Sequence, residues 1–543
     1  MYNNRKLAIY LPIAFALVLI AGFFLGGALI KVSTINSGLL QGIKNRSYDP
    51  VNDVIRYIQQ DYVDSVDVNL LQQAAITGIL SDLDPHSQYI TAEEFNEVND
   101  PLLGNFDGIG VQFRIENDTV YIINTIVGGP SEKVGVLAGD RIIKVEDETI
   151  AGVGITNNEV IKRLKGDRGT RVKISVYRKG FAELIPFEII RGVIPTYSVD
   201  ASFIPLPEIG YIKLSKFSAT TAQELSKALI QLRGNGMQSL VLDLRGNSGG
   251  YLQTAISVAD EFLTDGQLIV YTEGHNRPRQ YANATAEGIF EKGKLMILTD
   301  EGSASSSEIV AGAIQDNDRG MIIGRRSFGK GLVQEQLSLP DGSAIRLTVA
   351  RYYTPTGRSI QKPYTNGHSQ EYMEELYDRM GSGEFESADS VKFNDSLKYT
   401  TPGGRIVYGG GGIMPDIYIP IEKNENYRYY NEILAKGLIY QFTFDYTDAN
   451  RSKLRKYGSF ENFDATFRVT PELFNRFVTF AAEKGVPRDI QSIAFIRPEL
   501  ENLIKALIAR SLYDEKGFYP IFLRTDKTFL RAVAEIKETT STK

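Results

Sequence analysis

The distribution of apolar residues divides the chain into regions with different periodicities. Residues 7–30 contain 24 positions without a charge, and from residue 51 apolar residues recur at the spacing of helices. Residues 105–192 change to short strand-like apolar runs, separated by turn residues, at 110–115, 120–125, 141–145 and 171–177, with one helical stretch at 158–165. From residue 210, strand-like and helix-like runs alternate. The pattern predicts a multidomain α/β protein in which a small β domain lies beside a larger core.

Two kinds of element alternate in the predicted core. Strands are expected at residues 210–214, 239–244, 294–298 and 321–323, and helices at 220–232, 252–263 and 305–316. The helix after each strand returns the chain to the end of the sheet where that strand began. This order therefore predicts parallel strands covered by helices. Beyond residue 421, helical spacing at 471–483 and 490–512 predicts an additional helical domain, to which no chemistry is assigned.

The N-terminal apolar run is long enough to cross a bilayer, because 24 helical residues exceed a hydrocarbon core of about 30 Å. Arg5 and Lys6 precede it, which predicts a cytoplasmic N-terminus and an exported remainder. A cleaved signal peptide is the alternative, but its apolar region usually covers about 7–15 residues. The predicted order is a cytoplasmic tip (1–6), a transmembrane anchor (7–30), a linker (31–50), an N-terminal helical cap (51–104), the β domain (105–192), the α/β core (193–420) and a C-terminal helical extension (421–543).

Composition excludes several kinds of chemistry. The 543 residues include no cysteine and only three histidines, His86, His275 and His368, which are far apart in sequence. Thiol catalysis and Cys-ligated metals are therefore excluded, and no metal or other cofactor is predicted. The net charge is −6 and the chain has no Lys/Arg-rich run, which argues against a nucleic acid as the main partner.

A serine cluster follows the strand expected at 294–298. The sequence GSASSSE at 302–308, with Ser305 at its centre, opens the next predicted helix. A hydroxyl at a strand-to-helix turn is exposed, and the neighbouring backbone N–H can face a developing oxyanion. Serine at this place equally caps a helix, because its side chain accepts hydrogen bonds from the free N–H groups of the first turn. Local sequence leaves both interpretations open, a helix cap and a nucleophile.

Lys330 stands between two glycines, just past the strand expected at 321–323. A lysine acts as a general base only when it is neutral, and at its ordinary pKa of about 10.4 roughly 0.04% is neutral at pH 7. Burial in apolar surroundings could lower this pKa by about 3 units. Gln334 follows on the same segment and offers an amide that could orient the amine. An ordinary surface lysine in a glycine-rich turn is the alternative.

Two motifs around Lys330 imitate other enzymes. Residues 324–331 resemble the phosphate-binding loop G-x4-G-K-[ST], but Gly331 replaces the hydroxyl that binds magnesium. Ser327 and Lys330 also form an S-x-x-K pattern, as in β-lactamases. That pattern needs a helix to bring both side chains to one face, and the glycines Gly329 and Gly331 disfavour a helix there. Neither motif therefore indicates its own class of enzyme in this chain.

A glycine-rich turn, Asn247-Ser248-Gly249-Gly250, follows the strand expected at 239–244. Such a turn exposes backbone N–H groups that suit an oxyanion hole or an anion. The alternative is a tight connection between sheet and helix. A dinucleotide-binding site is excluded, because the pattern G-x-G-x-x-G is absent from this turn.

A second glycine segment, Gly108-Ile109-Gly110-Val111, leads into the first strand of the β domain. Adjacent N–H groups beside an open strand edge can capture the terminal carboxylate of a peptide, while the strand edge pairs with the peptide backbone. A hairpin turn without a ligand is the alternative on local sequence alone.

Together, these motifs resemble those of the carboxy-terminal processing peptidases, also called tail-specific proteases. They occur in family order between about residues 51 and 420, as LDPHS at 83–87, the PDZ signature at 108–142, DLRGNSGG at 243–250, GSAS at 302–305, FGKG at 328–331 and GGIMPD at 411–416. The resemblance implies a PDZ domain inserted beside a peptidase core, and cleavage of exported proteins near their free C-terminal tails. With the anchor, it implies a single-pass protein of the bacterial inner membrane whose catalytic part lies in the periplasm or cell envelope.

Position by position, the resemblance implies roles for individual residues. Ser305 would be the nucleophile, Lys330 the general base and Gln334 the residue that orients the lysine. The oxyanion hole would combine the backbone N–H of Ser306, where many family members have alanine, with one from the turn at Gly249 and Gly250. The PDZ residues Gly108, Ile109, Gly110 and Val111 would bind the substrate tail. A homo-oligomer or an adaptor protein is a further expectation.

Two other functions compete with this one. A Ser-His-Asp protease would need His86, His275 or His368 beside Ser305, but His86 is expected in the helical cap and His368 in a Gly-Ser loop. A PDZ-bearing scaffold without activity would not need Ser305, Lys330 and Gln334 together. The expected mechanism is therefore acyl transfer from the peptide to Ser305, with Lys330 as base.

Overall fold

The structure is a computed structural model that describes residues 49–126 and 128–541. The chain divides into two compact units, the first ending at Ile79 and the second beginning at Leu80. The first unit holds helix α1, Pro50–Asp61, and most of helix α2, Val68–Ser81. Asp49 caps α1, because its carboxylate accepts from the Asn52 N–H at 3.2 Å.

The membrane anchor predicted at 7–30 lies outside the described residues. Within 49–541, as far as the structure describes it, no helix combines the length and apolar composition that a membrane span needs. The helix Ile490–Phe522 has 33 residues, but charged side chains such as Glu499 and Lys505 interrupt it. The predicted attachment to an inner membrane, and the periplasmic location that depended on it, are corrected by this finding.

The region predicted as a PDZ domain folds around an antiparallel sheet. Its elements in chain order, with those that precede it, are β1 Gln88–Ile90, α3 Phe95–Leu103, β2 Asn105–Gly108, β3 Val111–Glu116, β4 Thr119–Thr125, α4 Pro130–Lys133, β5 Arg141–Val145, β6 Glu148–Thr149, α5 Asn157–Leu164, β7 Arg171–Tyr177, β8 Ile185–Ile190 and β9 Gly192–Pro195. The sheet has the order β3-β4-β5-β7-β8, with β6 beside β5. A separate antiparallel pair of β2 and β9 closes the domain. Ile122, Ile142 and Val176 are fully buried, which explains the short apolar runs of the sequence.

The peptidase core, as the resemblance names it, contains two larger sheets. Its elements in chain order are β10 Val199–Leu206, β11 Ile209–Leu214, α6 Thr221–Gly234, β12 Ser239–Asp243, α7 Leu252–Asp260, β13 Leu268–Gly274, β14 Arg277–Asn283, β15 Lys294–Thr299, α8 Ser306–Asp316, β16 Met321–Gly324, β17 Leu332–Ser338, β18 Ala344–Tyr353, α9 Ser369–Gly381, β19 Lys398–Thr400, β20 Ile406–Tyr408 and β21 Ile417–Tyr418. The first sheet has the order β10-β11-β12-β15-β16-β21. Its strands run parallel except β10, which is antiparallel to β11. The predicted parallel sheet is present, with one antiparallel edge strand that the pattern did not distinguish.

Both faces of this first sheet are buried, so its strands are nearly continuous apolar runs. Leu240 and Leu242 pack with helices α6, α7 and α8 on one face. Val241, between them, packs on the opposite face with the helix Lys527–Ser541. The alternation follows from the two-residue period of a strand.

The second sheet is antiparallel and was not predicted. Strand β18 pairs with β1, β13 and β17, and β14 pairs with β13. Strands such as β14, with the sequence RPRQYAN, are largely exposed and polar, so they give no apolar signal. This sheet positions the candidate site, because the hairpin of β17 and β18 carries Gln334 and Tyr352.

The C-terminal extension is helical, as predicted. Its elements are α10 Arg428–Ala435, α11 Leu438–Leu454, α12 Phe460–Thr466, α13 Pro471–Glu483, α14 Ile490–Phe522 and α15 Lys527–Ser541. Helix α14 bends at Tyr513 and Asp514, where the backbone leaves the helical region, and the helix predicted at 490–512 ends at this bend. Helices α10 to α14 enclose a core of their own around Phe442 and Phe477, whereas α15 covers the first sheet.

The C-terminal helices also contact the predicted PDZ domain. The Arg114 guanidinium in β3 lies 3.4 Å from the ring centre of Phe444 in α11, an attractive cation–π arrangement. The Asn124 amide in β4 donates to the Asp514 carboxylate at the bend of α14, at 2.6 Å. Two strands of the domain are therefore supported by the extension.

Candidate active site

Ser305 lies where β15 turns into α8. It is the N-cap of α8, with φ of 54° and ψ of −112°, a conformation that residues other than glycine rarely adopt. Such a conformation costs about 1–3 kcal/mol and occurs preferentially at functional sites. The two interpretations of Ser305, a helix cap and a serine presented at a strand-to-helix turn, therefore describe one geometry.

The glycine turn predicted to supply oxyanion donors packs directly against Ser305. A Cβ atom on Gly249 would lie 2.8 Å from the Ser305 Cβ, and one on Gly250 would lie 2.0 Å from a neighbouring carbonyl oxygen. Both positions therefore require glycine. The Gly249 N–H already donates to the Asn247 Oδ1 at 2.9 Å. The N–H groups of Gly250 and Ser306 donate to no acceptor in the described chain, so these two remain available for an oxyanion.

Ser306 contributes a side chain as well as a backbone donor. It is 1% exposed, and its hydroxyl donates to the Gly250 carbonyl at 3.0 Å. The alanine that many relatives are expected to have at this position could not make this bond. In this chain the hydroxyl therefore holds Gly250 in place beside Ser305.

Lys330 lies in the loop between β16 and β17, half-buried. Its Nζ donates to the Gln334 Oε1 at 3.0 Å, and the Gln334 Nε2 donates to the His86 carbonyl at 2.6 Å. Burial lowers the pKa of Lys330, and the nearby Arg346 guanidinium lowers it further. A lower pKa increases the neutral fraction that can accept a proton. Within the described residues, no hydrogen bond joins this amine to the Ser305 Oγ.

A buried glutamate joins the two candidate residues. Glu308 lies in the first turn of α8 and is fully buried. Its Oε2 accepts from the Ser305 N–H at 2.8 Å and from the Lys330 N–H at 2.9 Å, so both nitrogens bond the same oxygen atom. Its Oε1 accepts from the Gly329 N–H at 2.7 Å and from the Ser327 hydroxyl. Burial raises the pKa of Glu308 to about 7, although these hydrogen bonds favour the carboxylate.

Glu308 was not predicted as a functional residue. Its place three residues after Ser305 is the spacing of a capping box, a signal that accounts for the bond to the Ser305 N–H. The hydrogen bonds to residues 327–330 depend on tertiary folding, and the capping-box spacing does not predict them. Ser327, the serine of the S-x-x-K pattern, is fully buried, and its hydroxyl donates a hydrogen bond to Glu308. Its role is therefore structural.

The predicted tail-binding residues line a groove between β3 and α5. The cavity has a volume of about 310 Å³, and its apolar walls include Ile109, Phe113 and Leu164. Strand β3 is at the edge of its sheet, where it pairs only with β4 among the described strands. The N–H groups of Ile109 and Gly110 likewise donate to no acceptor in the described chain. A free strand edge beside free N–H groups suits an extended peptide with a terminal carboxylate.

Comparison with known proteins assigns the chain to a family. The model of peptidase family S41 matches residues 208–368, the PDZ domain model matches 108–186, and a family of unknown function matches 429–514. A carboxy-terminal-processing protease of Bartonella bacilliformis is 35% identical over 349 residues, which cover 63% of this chain and 79% of that protein. The carboxy-terminal processing protease CtpA of Bacillus subtilis is 34% identical over 354 residues, which cover 64% of this chain and 74% of that protein. This chain belongs to peptidase family S41.

Membership of peptidase family S41 confirms the predicted carboxy-terminal processing serine protease with a PDZ domain. The PDZ match includes the groove residues 108–111. A solved structure, the photosystem II D1 C-terminal processing protease, is similar at 24% identity and a TM-score of 0.35, with 67% of this chain and 85% of that chain covered. The roles of individual residues in the S41 core stay predictions.

The histidines of the Ser-His-Asp alternative are engaged elsewhere or exposed. His86 lies in the site, but its ring nitrogen is 3.1 Å from the Tyr372 hydroxyl. Burial and the charge of Lys330 lower the pKa of His86 to about 4. His368 pairs with Glu371 and is 54% exposed, and His275 lies exposed in the turn between β13 and β14. In the described part of the chain, none of these rings hydrogen-bonds to Ser305.

The loop at 83–87 positions Gln334, a role that its motif alone did not reveal. Asp84 accepts from the His86 N–H at 2.9 Å and from the Thr348 hydroxyl at 3.0 Å. Thr348 lies opposite Gln334 in the hairpin of β17 and β18. The loop is thus fastened to the hairpin where the His86 carbonyl accepts from Gln334.

Proposed function

We propose that this chain cleaves proteins near their free C-terminal tails by acyl transfer, with Ser305 as nucleophile and Lys330 as general base. One observation carries the proposal: Glu308 fastens the backbone of both residues to a single carboxylate. A strained serine at a helix N-terminus and a lysine whose pKa is lowered by burial support the same chemistry.

In the proposed reaction, neutral Lys330 takes the proton of the Ser305 Oγ as that oxygen bonds to the substrate carbonyl carbon. The N–H groups of Ser306 and Gly250 stabilise the charge that develops on the carbonyl oxygen. Lys330 then gives its proton to the amine of the leaving peptide fragment. A water molecule activated by the neutral Lys330 amine afterwards hydrolyses the acyl-enzyme. In the structure the Lys330 amine donates to Gln334 and not to Ser305. The proposal therefore requires the Lys330 amine to approach the Ser305 hydroxyl during the reaction.

The PDZ groove supplies the preference for C-terminal tails in this proposal. A tail would add to the edge of β3, with its terminal carboxylate at the N–H groups of Ile109 and Gly110 and its apolar side chains against Phe113 and Leu164. Export of the substrates, a homo-oligomer and an adaptor protein stay predictions from the family resemblance.

Substitution of the two reacting residues tests the proposal. Ser305→Ala and Lys330→Met should each reduce cleavage of an unstructured peptide with a free C-terminus on the order of 10³-fold or more. Lys330→Arg should be equally inactive, because a guanidinium does not lose its proton near neutral pH. Ser257→Ala and Lys227→Met, both on helices away from the site, serve as matched controls. Cleavage near the unsubstituted rate by Ser305→Ala or Lys330→Met would refute the dyad.

A further inference from the structure

Two residues outside the PDZ match line the groove of the PDZ domain, and one of them, Lys216, lies in the S41 match. Thr196 follows β9 and Lys216 follows β11, and both border the cavity that contains Gly108–Val111. Both lie outside residues 108–186, which match the PDZ domain model. Because Lys216 belongs to the S41 match, the groove is built from two domains, and all these residues line one cavity of about 310 Å³.

Lys216 is a partly buried cation without a carboxylate partner. Burial lowers the pKa of Lys216, against the opposing influence of Glu224 and Asp200. Those two carboxylates accept hydrogen bonds from neighbouring backbone and hydroxyl groups. Neither lies within 4.0 Å of the Lys216 amine, which forms no ion pair in the described chain. A desolvated charge without a partner is costly, and an anion in the groove would remove that cost.

Thr196 provides a second polar group without a partner. Its Oγ1 is buried, and no described residue forms a hydrogen bond with it. Lys165, the other cation of the groove, is already paired with Asp100 at 3.0 Å. The unpaired cation and the unpaired hydroxyl thus both lie outside the PDZ match, and they line the same cavity as the free N–H groups of the glycine loop.

We propose that Lys216, together with Thr196, binds the terminal carboxylate of a substrate tail in the PDZ groove. The inference rests on the proposed function, because it assumes that tails enter this groove. A carboxylate offers about four lone-pair sites. These are enough for the two loop N–H groups, the ammonium of Lys216 and the hydroxyl of Thr196. A free C-terminus is then recognised by the S41 core as well as by the PDZ domain.

The segment that carries Lys216 also reaches the catalytic side of the core. The next residue, Phe217, donates its N–H to the Gly249 carbonyl at 3.0 Å, and its own carbonyl accepts from the Tyr251 N–H at 2.9 Å. Lys216 therefore directly precedes Phe217, whose two backbone hydrogen bonds hold the glycine turn beside Ser305. A carboxylate bound to Lys216 would contact the segment on which that turn depends.

Binding measurements on an inactive chain test this inference apart from catalysis. The full chain with Ser305→Ala is titrated with a fluorescein-labelled unstructured peptide ending in valine, as a free acid and as a C-terminal amide, and anisotropy is followed. Adding Lys216→Met should weaken binding of the free acid roughly ten- to a hundredfold, as for a lost charged hydrogen bond. Binding of the amide should not change, which also shows that the groove is intact. Lys216→Arg should restore most of the preference, and Lys227→Met on α6 is the matched control.

The outcomes separate the inference from the proposed function. If the chain without the lysine substitution binds acid and amide equally, tail recognition by the groove fails and this inference fails with it. If the acid is preferred and the preference survives Lys216→Met, the PDZ groove recognises tails and only the role of Lys216 is refuted. Loss of catalysis in Ser305→Ala is a separate result that neither binding outcome affects.

Discussion

Glu308→Gln tests whether one buried carboxylate holds the proposed nucleophile and the proposed base together. Each oxygen of Glu308 accepts two hydrogen bonds from the backbone or hydroxyl groups of Ser305, Ser327, Gly329 and Lys330. A glutamine has one oxygen, so whichever way it turns, two donors lose their acceptor and face an amide N–H. An unsatisfied buried donor costs about 1–3 kcal/mol. The substitution therefore destabilises the site by roughly 2–6 kcal/mol, a large part of the stability of a domain.

We expect the turn at Ser305 or the loop at Lys330 to shift in this variant, because two buried donors must find new partners. A misplacement of about 1 Å at reacting groups costs on the order of 10²-fold in rate. The expected result is a fall in kcat of that size, with tail binding in the PDZ groove unchanged because none of the four donors to Glu308 lines the groove. The measurements are steady-state kinetics on a quenched peptide, urea unfolding, and anisotropy with the labelled tail peptide.

Glu287→Gln, an exposed position after β14, is the matched control for this substitution. It removes one negative charge from the same core without touching a buried donor. Wild-type kcat together with an unchanged unfolding midpoint in Glu308→Gln would refute the reasoning, because it would mean that the four hydrogen bonds do not set the geometry of the site.

Three further results are expected. Because burial lowers the pKa of Lys330, kcat/KM on a peptide should rise with pH to a plateau below the range of free lysine; a rise only near about pH 10 would contradict a buried base. Ser306→Ala loses the hydroxyl that holds Gly250, so kcat should fall roughly fivefold, as for one hydrogen bond of about 1 kcal/mol, with KM unchanged and activity restored by Ser306→Thr; an unchanged kcat would show that the hydroxyl is dispensable. Because burial raises the pKa of Glu308 to about 7 from 4.5, the folded chain retains a proton that the unfolded chain releases. This contribution to stability is complete below pH 4.5 and is lost as pH rises to about 7, on the order of 3 kcal/mol in all. Urea unfolding from pH 4 to 8 should show that loss in the native chain and not in Glu308→Gln, and parallel curves would argue against it.

The elements that depend on local periodicity could be predicted from the sequence. The strands Arg141–Val145 and Arg171–Tyr177 and the helix Pro471–Glu483 occur with the predicted ends. Each has a clear period of two or 3.6 residues and turn residues at its borders. The candidate nucleophile and base were singled out only because several motifs occur together, since Ser305 and Lys330 taken alone are an ordinary cap and an ordinary turn lysine.

What the sequence could not predict depends on contacts between distant segments. Glu308 carries the local signal of a capping box, while two of its partners lie more than 20 residues away. The His86 carbonyl meets Gln334 across 248 positions, so no spacing rule could join them. The second sheet escaped prediction because β14 and β17 are polar and exposed, and their pairing partners, not their own composition, define them as strands.

Strand β3 of the PDZ domain lies between the groove and the C-terminal helices. Its side chains alternate between faces, so Phe113 lines the groove while Arg114, the next residue, lies over Phe444 of the C-terminal helices. A tail in the groove and the C-terminal helices would therefore contact neighbouring residues of β3 from opposite faces. The C-terminal helices, which match a family of unknown function at residues 429–514, contact β3 through Phe444 and β4 through Asp514. A tail that enters the groove as proposed would therefore add to a strand that is already held on its other face.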